Sequence, residues 1–153
     1  MSEFLHAAAK TGDIEAVRRN LLDVAVDVPD SSSLTALMHA SFHGHTEVVR
    51  VLLDWGASID LTTNNGKTAL MYASMWGRID VVKMLLGKGA NLDLVNTSGR
   101  TAQMEANEKG MKDVVALLQE HADTGHADGT EQTASSVNRR TSNVLSRSVL
   151  RTC

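Results

Sequence analysis

An all-α solenoid of four stacked helix-turn-helix repeats, with projecting hairpin-like loops and a disordered tail, is the fold this sequence predicts. Three observations predict it. Segments beginning Thr35-Ala36-Leu37-Met38, Thr68-Ala69-Leu70-Met71 and Thr101-Ala102-Gln103-Met104 recur at a fixed period (68 − 35 = 33; 101 − 68 = 33). Each segment holds two short apolar faces at helical spacing, separated by a glycine. Beyond residue 121 the apolar periodicity stops and Ser, Thr, Gly and Arg take over. A fixed period of this length marks units that bury their apolar faces only by stacking.

Within one unit, Thr35 is placed to cap the first helix, whose face is Leu37, Ala40 and Ser41. Gly44 follows, where a left-handed residue lets the chain reverse. Val48, Val49, Leu52 and Leu53 form the second face, and Gly56 ends it. Asn64-Asn65-Gly66 then signals a tight turn in the loop that leads to the next unit. A degenerate copy precedes these: Leu5, Ala8, Ala9, Gly12 and Val17 match Leu37, Ala40, Ser41, Gly44 and Val49 at a spacing of 32 (37 − 5). The repeats are read as 3–33, 34–66, 67–99 and 100–121, together a domain over 1–121, with a tail over 122–153. Gln103 and Gln119 replace core leucines in the last copy, as a terminal unit with a polar outer face requires.

The pattern Thr-x-Leu-x-x-Ala, Gly-His, Val-Val-x-x-Leu-Leu, Gly-Ala resembles the ankyrin repeat family over about residues 3–121. Residues 35–41, Gly44-His45, 48–53 and Gly56-Ala57 carry the resemblance. It implies a scaffold that presents a concave face to partner proteins. It also implies a His after the Leu, hydrogen-bonded to the Thr, but here Met38, Met71 and Met104 stand at that position. Methionine is expected to fill space flexibly instead. The family's hydroxylation acceptor position carries Asp27, Asp60 and Asp93 in this chain.

Composition narrows function. Of 153 residues, 42% are hydrophobic and 22% charged, and the single cysteine is Cys153, which excludes a disulfide framework. Residues 1–121 carry 11 Lys+Arg against 15 Asp+Glu, a balance of −4 (11 − 15) that argues against nucleic acid as the main partner. With no long apolar run and no secretory leader visible, a cytoplasmic and/or nuclear monomer is expected, without membrane attachment or cofactor.

The candidate contact residues lie where the resemblance places the concave face and loop tips. Phe42 and His43, Met75 and Trp76, and Glu108 and Lys109 precede the inter-helix glycines; His39, Tyr72 and Glu105 lie one turn earlier. The chain has two Phe, two Trp and one Tyr, and Phe42, Tyr72 and Trp76 fall in this set, with Trp55 at another position commonly exposed in the family. Loop tips add Ser32, Ser33, Asn64, Asn65, Lys67, Thr97, Ser98 and Arg100. The competing reading is that the rings simply pack over the neighbouring repeat. The reading favoured here is partner binding, since Trp and Tyr dominate interface hot spots.

Other motifs carry less. His39 and His43 are one helical turn apart, but two ligands are too few for zinc. Gly66-Lys67-Thr68 imitates the end of a phosphate loop, yet Leu61 stands where the first glycine is needed. Arg139-Arg140-Thr141-Ser142 makes Ser142 a candidate phosphorylation site. Val144, Leu145, Val149 and Leu150 could form a short amphipathic turn if a partner supplied a groove. No motif supports catalysis. The chain is therefore read as an adaptor or scaffold binding one or more proteins; the alternative is a regulatory inhibitor or small subunit that occludes a partner enzyme or kinase. Restoring histidine at Met38 and Met71 is expected to raise the thermal midpoint; an unchanged midpoint would sink the softened-core reading.

Overall fold

A computed structural model of the chain describes residues 2–128. Among them are eight α-helices and no strand: α1 (Ser2–Thr11), α2 (Ile14–Asn20), α3 (Ala36–His43), α4 (Thr46–Asp54), α5 (Ala69–Met75), α6 (Ile79–Gly87), α7 (Ala102–Glu108) and α8 (Lys112–Asp128). The chain divides into two units after Ala116. In the first unit, α1, α3, α5 and α7 pack side by side as an inner row, and α2, α4 and α6 as an outer row. Each inner helix also packs on the outer helix that follows it for the first three pairs. These are the predicted stacked pairs.

The core is built from the periodic positions. Leu5, Leu37 and Leu70, with Val17, Val49 and Val82, are sealed from solvent. Ala8, Ala40, Ala73 and Ala106 are also buried, and their small size lets neighbouring inner helices approach closely. Thr35, Thr68 and Thr101 cap α3, α5 and α7, each accepting a hydrogen bond from the N–H three residues on. The expectation that Met38 only fills space needs correction: its Sδ accepts the Thr35 N–H at 3.4 Å, closing a capping box with a thioether in the reciprocal role. Met38 and Met71 are fully buried, whereas Met104 is exposed.

The inter-helix glycines do two jobs. Gly12 and Gly44 adopt φ of 81° and 80°, which L side chains rarely tolerate. They also clear a path. A Cβ at Gly12 would lie 2.7 Å from the His45 ring, and one at Gly44 would lie 2.8 Å from Arg78 Cδ. Through those gaps His45 Nε2 reaches the Lys10 carbonyl (2.9 Å), and Arg78 Nε donates to the Phe42 carbonyl (3.0 Å). The second repeat is thus stitched to the first, and the third to the second.

The loops are held by a second periodic device. Asp30, Thr63 and Asn96 stand 33 apart (63 − 30; 96 − 63). One side-chain oxygen on each accepts two backbone N–H groups of its own turn: Ser32 and Leu34, Asn65 and Lys67, Ser98 and Arg100. Asp30 then meets the His39 ring at 2.7 Å, and Asn96 Nδ2 donates to Glu105 at 2.6 Å. Adjacent turns are also joined, by Asn64 N–H to Ser33 Oγ and Thr97 N–H to the Asn65 carbonyl. Asp27 and Asp60, at the hydroxylation position, are engaged in the same way: Asp27 accepts from Ser58, and Asp60 from the Asn91 N–H.

Residues 122–128, assigned by composition to the tail, instead continue α8 past His121. Extending an existing helix adds one bond per residue and needs no new nucleus, so weakly apolar residues can follow. Thr124 Oγ1 donates back to the Glu120 carbonyl within this stretch. Ser142, the apolar residues 144–150 and Cys153 lie outside the described residues.

Two buried groups make the core less than ideal. Ser41 and Ser74, one repeat apart, are fully buried, and their hydroxyls have no hydrogen-bond partner. Ser41→Ala and Ser74→Ala remove an unpaired polar atom at little cost in volume. Each is expected to raise unfolding free energy by about 1 kcal/mol in urea titrations; a loss would show that the hydroxyls are bonded after all.

The Asp30–His39 contact makes stability pH-dependent. Burial acts to raise the Asp30 pKa, but hydrogen bonds from Leu34, His39 and Ser32 outweigh it and hold the carboxyl at about 2 against an ordinary 3.8. Burial lowers the His39 pKa below 6.5, against the raising effect of Asp30. The folded chain therefore resists protonation at both groups. Stability falls as pH drops below 6.5 through His39, and again between 3.8 and about 2 through Asp30. Asp30→Asn keeps an oxygen for the turn, as Asn96 does, and removes the lower arm. Its urea midpoint is expected to fall less steeply than that of the wild type from about pH 5 to about pH 2. Parallel curves would contradict this.

Candidate functional site

The inner helices present their C-terminal halves and the following turns to one face. Periodicity places Phe42, Met75 and Glu108 at one position of that face (75 − 42 = 33; 108 − 75 = 33). His43, Trp76 and Lys109 hold the next, and His39, Tyr72 and Glu105 the one a turn earlier.

Three of the predicted rings meet. The Phe42 ring lies 5.1 Å from Trp76 and 6.2 Å from Tyr72, centroid to centroid, in tilted arrangements that favour ring edges against faces. His43 packs edge-on against Phe42 at 4.9 Å and stacks on His45 at 6.0 Å. Burial, with the nearby His45, Arg78 and Lys10, lowers the His43 pKa, so its ring favours the neutral form. Trp76 is the exposed member at 45%, while Phe42 and Tyr72 are half-buried. Burial raises the Tyr72 pKa, with the nearby Thr63 hydroxyl acting the other way.

A polar cleft of about 470 Å³ adjoins these rings, lined by Asn65, Lys67, Met75, Asn96, Arg100, Glu105, Glu108 and Lys109, among others. Lys67 joins the two regions. Its Nζ lies 5.9 Å from the Tyr72 ring centroid and 3.6 Å from Met75 Sδ. Arg100 and Glu108 form an ion pair across the cleft; their hydrogen bond raises the Arg100 pKa and lowers that of Glu108. Asn64 and Asn65 are exposed at the turn tip.

Several predicted contact residues sit elsewhere than expected. His39 is buried and spends its ring on Asp30, so it supports the face from beneath. Met75 is only 9% exposed and forms the floor under Lys67, not a projecting anchor. Trp55, by contrast, is 44% exposed, as its repeat position implied, and ends α4 in the outer row. The residues missed from sequence were Asp30, Thr63 and Asn96, which fix the turns against the inner helices. Their signal was present as an oxygen-bearing side chain at period 33, hidden by the change of residue type.

The arrangement holds apolar rings, a half-buried ammonium group and paired charges. It contains no nucleophile set against a general base. Among the described residues there is no group of three or more His, Cys, Asp or Glu able to hold a metal ion. No helix among them is long and apolar enough to cross a membrane.

A family model described as ankyrin repeats, in three copies, matches residues 5–96, which is well over half of the chain. The match spans the first three helix pairs; α7, which packs on α5, and α8 follow it in sequence. Ankyrin repeats are generally protein–protein interaction modules and typically non-catalytic. The 33-residue period, the threonine caps, the glycine reversals and this match agree, and the chain belongs to the ankyrin repeat family.

Proposed function

We propose that this chain is a non-catalytic adaptor or scaffold that binds a partner protein through the inner-helix face, with Phe42, Tyr72 and Trp76 as anchors. The observation that carries this reading is the ring cluster itself. Trp76 holds 45% of its surface in solvent beside two half-buried rings, although burying it would be favourable. An exposed apolar patch rimmed by polar residues is the usual form of a contact site. Here the rim is Lys67, Asn64, Asn65 and the Arg100–Glu108 pair.

The rings divide between the two roles that the sequence left open. Phe42 and Tyr72 also pack within the array, whereas Trp76, which ends α5, projects from it. Trp76→Ala is therefore expected to change unfolding free energy by less than about 1 kcal/mol. The same change is expected to weaken partner binding by about 2 kcal/mol, roughly thirtyfold. Affinity purification with wild type, Trp76→Ala and the Tyr72→Ala/Trp76→Ala double variant tests this, with thermal melts as the control. Proteins retained by wild type are expected to be lost from both variants. Unchanged capture alongside collapsed stability would make the rings core and overturn the reading.

A further inference from the structure

The charges on this face are not balanced in the way their count suggests. Its carboxylates are each occupied inside the chain. Asp30 accepts from two turn N–H groups and contacts His39. Glu105 is 4% exposed and takes the Asn96 amide hydrogen bond. Glu108 is paired with Arg100. The cations are treated differently. Among the described residues no carboxylate lies within salt-bridge reach of Lys67 or Lys109. Both act on Glu108 only from a distance.

Lys67 is the informative one. It is only partly exposed, and its ammonium contacts a thioether sulfur at 3.6 Å and lies 5.9 Å from the centroid of an aromatic face. Both are weak partners for a cation, so the group has lost some water without gaining an anion. An incoming carboxylate would restore what burial removed, in a site where charge pairs are less screened than in bulk water. The same carboxylate-bearing segment would lie beside the rings, since Lys67 touches the Tyr72 face that packs on Phe42.

We infer that the partner segment on this face is an acidic peptide, with Asp or Glu side chains in the cleft at Lys67 and Lys109 and an adjoining aromatic or aliphatic side chain on Trp76 and Phe42. This rests on the inner-helix face being the binding site. It goes beyond that reading by fixing the chemistry of the occupant. A single-stranded nucleic acid could also use cations beside rings. The −4 balance of residues 1–121 (11 − 15) disfavours that polyanion, while a short acidic segment needs only the local field.

The test is selection from a phage-displayed random peptide library on the full chain, followed by affinity measurements on the enriched peptides. Enriched sequences are expected to combine Asp or Glu with an aromatic or leucine. Their binding is expected to weaken as salt rises. Lys67→Glu with Lys109→Glu is expected to lower affinity about tenfold or more, and the paired Lys→Gln changes by less, with melting midpoints unchanged. Basic or uncharged consensus peptides, no enrichment, undiminished binding by the Lys→Glu variant, or competition by a thymidine oligonucleotide would each overturn the inference. The two readings separate cleanly. If the selected peptides lack acids yet lose binding to Tyr72→Ala/Trp76→Ala, the face stands and the acidic segment falls. If they ignore both sets of variants, the face itself falls.

Discussion

The structure depends on one small interaction made three times: a side-chain oxygen in each loop accepting two backbone N–H groups of its own turn. Asp30, Thr63 and Asn96 make it with different chemistries and the same geometry. Without it, the turn N–H groups would need water or would stay unpaired, and the loops would lose their fixed path. With it, two of the loops reach their own inner helices, Asp30 to His39 and Asn96 to Glu105. The loop tips and the inner-helix side chains therefore belong to one rigid surface. Lys67 is held in the same way: its N–H is pinned to Thr63 Oγ1, and its Nζ lies over the Tyr72 ring.

Most of the fold was legible in the sequence, because repetition turns a weak local signal into a strong one. A single Thr before an apolar residue is a poor helix start. Thr35, Thr68 and Thr101 in register are a reliable one, and all three cap as expected. The glycines were legible as reversals but not as gaps. That Gly12 and Gly44 make room for His45 and Arg78 is a contact between repeats, and a pattern within one repeat cannot display it. The loop acceptors were hidden because a carboxylate, a hydroxyl and an amide share only an oxygen. The helical state of residues 122–128 was hidden because composition measures what a segment can bury, whereas helix continuation is decided locally by the preceding turn.

The candidate site was legible in register but not in depth. The family resemblance placed Phe42, Tyr72 and Trp76 on one face, and their rings do meet there. It gave His39 and Met75 the same standing, yet both are buried, one committed to Asp30 and the other lying under Lys67. Depth is set by which neighbour leans over a residue. That depends on side-chain lengths two helices apart, not on position in the repeat. Trp55 shows the converse: its exposure resembles that of Trp76, but it ends an outer-row helix.

Variation along the array orders the polarity of the inner-helix face. At one repeat position the residues run Lys10, Phe42, Met75, Glu108; at the next they run Thr11, His43, Trp76, Lys109. Both series are polar at the ends and apolar or aromatic in the middle. A core position beside them does not vary: Ala8, Ala40, Ala73 and Ala106 are the same residue and all buried. Packing therefore does not dictate the gradient. An apolar centre bordered by charge is the anatomy of protein interfaces, where the centre excludes water and the rim selects among partners. In a solenoid it can arise only by giving the middle repeats one kind of residue and the outer repeats another. On the proposed reading, the two middle repeats of this array, with Phe42, Tyr72 and Trp76, are where binding energy would be best placed.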